Sequence, residues 1–435
     1  MIKNKASSIF FLLSSLMPIS SYAAASLTEL AQVPLVLPSI NLSHFNHLYT
    51  EIQVQQSPLE VKTLGIVHIY SEAPDYRFAI EPAEGYTCVD DVARAMVMLT
   101  EYLRLPESDT SSEQHIEQIK KMTEFVLYMQ NENGYFNNFI WHDHSINTEY
   151  RTTVAEMNWW TFRAIWGLSS ALPYLEGNRA LVARVNQAIN NAVDNIKVDL
   201  APKKEAFNVF EGVLVPNWLP NDYAADQAAL AIISLLPLYQ ANHDEEVLAI
   251  LHAQARGLMA MQKGDADNYP YGMFLSWKNQ WHSWGNNQAY ALLLAGQALN
   301  KQEYIDSALI EINHFYPHLL SSGFAEGIWI EKVQGEYHQS AKNAFPQIAY
   351  GIRPMVYATA KAYEITQDKK YLRLAHKLTG WFFGDNDTKV AMYHPENGRF
   401  YDALISVDKV NQNSGAESTI EGLMVLIKNK QLQEK

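Results

Sequence analysis

"AALAIISLLPL", residues 228–238, decides the fold. The run is helix-forming and apolar nearly all the way round. A helix with no polar face has to be buried on every side. "AYALLLAGQAL", residues 289–299, has the same character. Around these two runs, apolar residues at helical spacing come in pairs along the whole chain. The spacing predicts helices over 91–103 and 113–131, 153–174 and 179–197, 223–241 and 244–262, 284–299 and 303–319, and 345–366 and 369–383. A last helix is expected over 416–430.

The first helix of each pair starts near Asp91, Glu156, Asp222, Trp284, Gln347 and Glu417, at intervals of 62 to 70 residues. A near-constant period of this length marks a repeated helical hairpin. Linkers within a pair are short, as between Leu175 and Asn178. Linkers between pairs are long and rich in Gly, Asn and aromatics, such as "NENGYFNNFIWHDHSINTEYR" and "GDADNYPYGMFLSWKNQWHSW". Long ordered loops of this kind are usually functional. If each second helix runs antiparallel to the first, the long loops and the starts of the first helices share one end. The expectation is an all-α fold: the apolar first helices form an inner ring, the others an outer ring, and the mouth lies where the loops gather.

Four segments add a resemblance: "GYTCVDDVARA", "WHSWGNNQAYAL", "WFFGDN" with "MYHPENGRFYD", and "NSGAESTIEGL". They are similar to segments of bacterial glycosidase-like proteins of the six-hairpin glycosidase superfamily, over residues 64–428. The resemblance implies an (α/α)6 toroid with long loops and short β-hairpins at one end. It also implies acids at the starts of successive inner helices, as in the unsaturated uronyl hydrolases of that superfamily. Carried onto this chain, those acids are Asp91 and Glu156, with Asp226 and Glu417 in reserve.

The same acids have a plainer use. Thr87 to Asp90, Thr153 to Glu156 and Ser414 to Glu417 each read as a capping box, a hydroxyl followed three residues later by an acid. Asp90 then starts its helix, and Asp91, rotated about 100° around it, is left for chemistry. Asp222 reads as an N-cap, whereas Asp226 lies a turn deeper beside an apolar run. Glycoside hydrolysis needs one carboxylic acid to protonate the leaving oxygen and one carboxylate to activate water. Clustered acids are pushed to different pKa values and so divide those roles.

The catalytic candidates are therefore Asp91, Glu156, Asp90, Asp226 and Glu417. A sugar platform is sought among Trp141, Trp159, Trp160, Trp218, Trp277, Trp281, Trp284 and Trp329, with Trp281 and Trp284 preferred. Trp159 and Trp160 cannot both face inward. Polar contacts to substrate are expected from His144, Arg151, His282, Gln288, Arg353 and Tyr401.

Composition narrows the class further. The chain is 48% hydrophobic and 18% charged, as a globular protein is, with 10 Trp and 24 Tyr. The net charge is −14, which argues against nucleic acid as a partner. Lys3 and Lys5, the apolar "IFFLLSSLMPIS" and the small residues of "SYAAAS" read as a cleaved secretory signal over 1–25, placing the chain in the periplasm or outside the cell. An N-terminal extension over 26–63 and one catalytic domain over 64–435 are expected to follow. No other run is long enough for a membrane span. Cys88 is the only cysteine and reads as a packed residue. His142 and His144 lack the companions of a zinc site, and "GDADN" and "GDNDTK" read as turns, so no metal or other cofactor is expected.

The sequence reading is thus an exported glycoside hydrolase acting on an oligo- or polysaccharide, preferably with inversion. A polysaccharide lyase or sugar epimerase on the same toroid is the alternative, and a non-catalytic carbohydrate-binding protein the second.

Overall fold

The computed structural model describes residues 37–433 except 58–59, 107, 109–111 and 202–203. The signal-like segment lies outside the described residues. Helix α1 spans Ser43–Leu48 and precedes an antiparallel hairpin, Tyr49–Ser57 with Glu60–Val67. The paired helices follow: α2 (Val89–Tyr102) and α3 (Ser112–Tyr128), α4 (Trp159–Leu175) and α5 (Arg179–Asp199), α6 (Ala225–Asn242) and α7 (Glu245–Met261). Next come α8 (Gln288–Ala298) and α9 (Gln302–Ser322), α10 (Ala349–Thr366) and α11 (Lys369–Thr379), and the closing α12 (Ala416–Gln433).

In the α4–α5, α6–α7, α8–α9 and α10–α11 pairs only two or three residues turn the chain, so the partners are antiparallel. His243 takes the left-handed conformation at the end of α6, and Asp244 caps α7 through the Glu246 and Val247 N–H groups. The first helices pack on one another in chain order, α2 on α4, α4 on α6, and so on to α12, which returns to α2. Burial explains the order. In α6 every residue from Ala225 to Leu236 is buried, and in α2 every residue from Asp91 to Thr100 is buried. The outer helices are one-sided, with α11 burying Tyr371, Leu374, Ala375 and Leu378 along one stripe. A three-stranded antiparallel sheet (Gln280–His282, Gly327–Val333, Glu336–Asn343) and several short hairpins fill the long connections. These connections all lead into the starts of inner helices. No helix among the described residues is long and apolar enough to cross a membrane.

The helix starts differ from the capping boxes expected. Cys88, not Thr87, caps α2: its sulfur accepts the Asp91 N–H, and its thiol donates to Asp91 Oδ2. The Thr87 hydroxyl is buried without a partner. Helix α4 begins at Trp159, with Asn158 accepting the Thr161 N–H. Thr153 is spent on the loop instead, donating to the Asn147 carbonyl and accepting the Asn138 and Phe139 N–H groups. That leaves Glu156 exposed, outside the helix. At α12, Asp402 takes the Gly415 N–H and the Ser418 hydroxyl. Asp222 is exposed, with φ of 68°, three residues ahead of α6.

Candidate active site

Because Cys88 holds the box with Asp91, the two adjacent acids of α2 part company. Asp91 is 3% exposed and meets Arg94 Nη2 at 2.5 Å. Asp90 turns to the neighbouring helix, where its Oδ2 meets Arg163 Nη1 at 2.8 Å. Its Oδ1 has no hydrogen-bond partner. On α12, Glu417 likewise does no capping; its carboxylate lies 3.3 Å from Arg94 Nη2.

Asp90, Asp91, Arg94 and Glu417 line a cavity of about 410 Å³ with Tyr70, Glu84, Cys88, Asn138 and Asp402. Tyr70 donates to Glu84 at 2.5 Å. Five acids therefore face one arginine there.

Beneath the cavity a ring of buried charge joins the inner helices. Glu421, fully buried, accepts from Arg94 at 2.8 Å and from Arg353 at 2.5 Å. Burial alone would raise its pKa, but the two guanidiniums outweigh that and hold it below the ordinary value. Arg353 also donates to Asn287 at 3.0 Å. Tyr350 stands among three arginines, its ring 5.0 Å from the Arg94 and Arg163 guanidinium centres and 5.4 Å from that of Arg353, and its hydroxyl accepts from Arg163. The field of Arg163 reaches Asp90, Asp91, Asp226 and Glu417, so acids from α2, α6 and α12 converge on one side chain of α4.

The acids do not share one environment. Burial raises the Asp91 pKa, against the opposing pull of Arg94. Burial raises Glu417 to about 7, helped by Asp91 and Glu421 and opposed by Arg94. Its side chain stays 41% open to the cavity, so water moderates that rise. Asp226, 2% exposed, is pushed by burial to about 6 while accepting the Trp159 indole N–H at 2.9 Å. Burial lowers His282 to about 4. Its Nδ1 donates to the Trp284 carbonyl at 2.6 Å, its ring stacks on Trp284 at 3.5 Å, and its Nε2 faces Asp226 at 3.7 Å.

The remaining expected residues scatter. Trp281 is 1% exposed and packs edge-on against Phe315 in the core, so it is no sugar platform. Trp159 faces the inner side through Asp226, and Trp160 is buried against the Phe136 carbonyl. Gln288 is buried at the start of α8, and Arg353 is enclosed by its partners. His144 is half-buried beside the Tyr86 ring, Arg151 is exposed, and Tyr401 lies against His394, all on loops. Among the described residues no group of three His, Cys, Asp or Glu side chains is placed to hold a metal ion.

Arg94, Arg163, Tyr350, Asp402 and Glu421 were not anticipated. Two carried a signal: Glu421 repeats Glu417 one turn on, and Arg94 is a cation inside an otherwise apolar inner helix.

No protein-family model and no curated protein matches the chain. Its fold is similar to that of a sugar epimerase from a ruminal bacterium, at 13% identity over 83% of this chain and 91% of that one, with a TM-score of 0.53. A family 76 glycoside hydrolase from a bovine Bacteroides thetaiotaomicron strain is 12% identical over 89% and 84%, TM-score 0.53. Cellobiose 2-epimerase from Bacillus thermoamylovorans is 11% identical over 83% and 92%, TM-score 0.55. The likeness to these structures is one of fold.

Proposed function

We propose that the chain is a glycoside hydrolase built on an (α/α)6 toroid, with Glu417 as general acid and Asp90 as the base that activates water. The carrying observation is Glu417: a carboxyl open to a cavity that Asp90 also lines, with its pKa raised to about 7. Efficient proton donation at neutral pH needs an acid of about that strength. Glu417 gives its proton to the leaving glycosidic oxygen, the bond from the anomeric carbon breaks, and water adds there while Asp90 takes its proton.

Asp91 suits neither role as well. It and Glu417 share Arg94 Nη2 at 2.5 and 3.3 Å, which puts those oxygens within about 6 Å of each other, below the roughly 6.5–9.5 Å that holds a water between acid and base. Asp91 positions Arg94, and the acid and base roles fall to Glu417 and Asp90.

The charge around the cavity favours a neutral sugar. Glu84, Asp90, Asp91, Asp402 and Glu417 line the cavity with Arg94 as its one lining cation, and Arg94, Arg163 and Arg353 are all held by acids. A lyase needs a cation to neutralise a uronate carboxylate, and none of these three arginines is spare. The Asp226–His282 pair favours one second reading, sugar epimerisation, because a neutral imidazole facing a carboxyl can pass a proton between them. We also retain export in the proposal, on the signal-like residues 1–25.

Incubation of the mature chain with neutral and uronate glycans, read by product mass and ultraviolet absorbance, tests the reading. Hydrolysis adds one water per bond broken and gives no absorbing product. An unsaturated product establishes a lyase, an isomeric sugar of unchanged mass an epimerase, and unaltered glycan a binding protein. Sequencing the N-terminus of the periplasmic chain tests export.

A further inference from the structure

Away from the acids, the three-stranded sheet carries a second feature that the hydrolytic reading does not use. Its register sets Gln280, Trp329 and Ala341 opposite one another, and His282, Gly327 and Asn343 in the next row. Directly opposed residues of an antiparallel sheet share a face, and so do residues two apart along a strand. His282 and Trp329 therefore stand on one face.

Gly327, between them, has no side chain to interrupt that face. A Cβ there would meet the Trp329 ring at 3.1 Å, so the indole lies across the glycine, on the row of His282. The opposite face, with Trp281, Ile328 and Ile330, is buried in the core.

Glu326 ties the two ends together, accepting from the Trp284 indole at 3.4 Å and from the Asn343 amide at 3.2 Å. On the outer side Trp329 walls a cavity of about 540 Å³, with Glu211, Asn279, Ser340, Ala341 and Asn343 around it. Asn279 is itself fixed by the Ile330 carbonyl at 2.9 Å. An indole face bordered by amides, a hydroxyl and one carboxylate suits a neutral pyranose: the ring's C–H face stacks on the indole and its hydroxyls meet the amides. Among the described residues that line it there is no cation to favour an anionic ligand.

We propose that Trp329 forms a sugar subsite separate from the acid cavity, so that the substrate is a neutral glycan chain of several units. The proposal rests on the hydrolytic reading for its substrate class. Its test is a binding measurement that needs no turnover.

Affinity electrophoresis of the Glu417→Gln chain through gels holding mannan, xylan, laminarin or hydroxyethyl cellulose provides it. At least one of these glycans should retard that chain. Adding Trp329→Ala should weaken the retardation about tenfold in Kd, and Trp329→Phe should restore part of it. An unchanged melting temperature confirms that the variants fold. In the Glu417-intact chain, Trp329→Ala should raise KM for the long glycan while leaving kcat, and cleavage of a short glycoside, unaltered.

Equal retardation of the Trp329 variants and their parent overturns the subsite, as does retardation by none of the four glycans. Retardation that depends on Trp329 in a chain that cleaves nothing keeps the subsite and fails the hydrolytic reading instead.

Discussion

Arg94 and Glu417 meet although 323 residues separate them, Nη2 lying 3.3 Å from the carboxylate. The contact joins the second turn of α2 to the first turn of α12, where the inner helices close on themselves, and it sets an unusually weak carboxylic acid at the edge of a cavity. Glu417 holds its proton below about pH 7 and releases it above, burial being the main cause. The acid function is therefore present on the low side of that value and lost as pH rises through it. The profile of kcat/KM should fall on its alkaline side with an apparent pKa above the ordinary carboxylate value and no higher than about 7, and Glu417→Gln should abolish that limb.

Asp90 and Asp91 are neighbours in sequence with opposite surroundings, and their variants should separate. Asp90→Asn should reduce kcat about 10²–10⁴-fold and, because it removes the carboxylate that meets buried Arg163, should also cost about 1–3 kcal/mol in stability. Asp91→Asn weakens the ion pair with Arg94 inside a sealed site and should cost about 1–3 kcal/mol in stability. Urea denaturation beside steady-state kinetics separates the two.

Glu421 is the counter-ion of two buried guanidiniums. Glu421→Gln should destabilise by about 3–5 kcal/mol, because charge is left uncompensated where water cannot reach it. Arg353 and Arg94 hold the Glu421 pKa low against burial, so the stability it contributes is present above the unfolded value and is lost as pH falls through the lower folded one. Denaturation midpoints at neutral and acid pH should converge between parent and variant.

Glu311, in α9, offers a test far from the chemistry. It is 2% exposed, accepts the Phe274 N–H at 2.8 Å, and is raised by burial from 4.5 to about 8. A carboxyl raised in the folded state costs stability as pH climbs from the unfolded value through the folded one. The melting temperature of the parent should therefore decline between about pH 5 and pH 8, and Glu311→Gln should flatten that decline.

Much of this architecture was legible before any coordinates. The runs over 228–238 and 289–299 have no polar face, and that absence alone made them inner helices. The acids were harder. A hydroxyl three residues before an acid looks like a cap, yet Thr87, Thr153 and Ser414 leave that work to Cys88, Asn158 and Asp402. The pattern cannot say which of several nearby groups takes a free N–H, because the competitors include a thiol and an aspartate from another loop. The one-residue shift at Cys88 exchanges the surroundings of Asp90 and Asp91, and the later start of α4 leaves Glu156 on the surface. Trp281 went astray by the period of two in a strand: it alternates with Gln280 and His282, and so points into the core.

The central claim is that Glu417 protonates a departing sugar oxygen. The direct measurement compares kcat/KM of the parent and Glu417→Gln on an unactivated neutral glycan and on a dinitrophenyl glycoside of the same sugar, whose leaving group needs no proton. The account predicts a loss of about 10²–10⁴-fold on the first and little loss on the second. Equal losses on both substrates, or no loss on either, would contradict it.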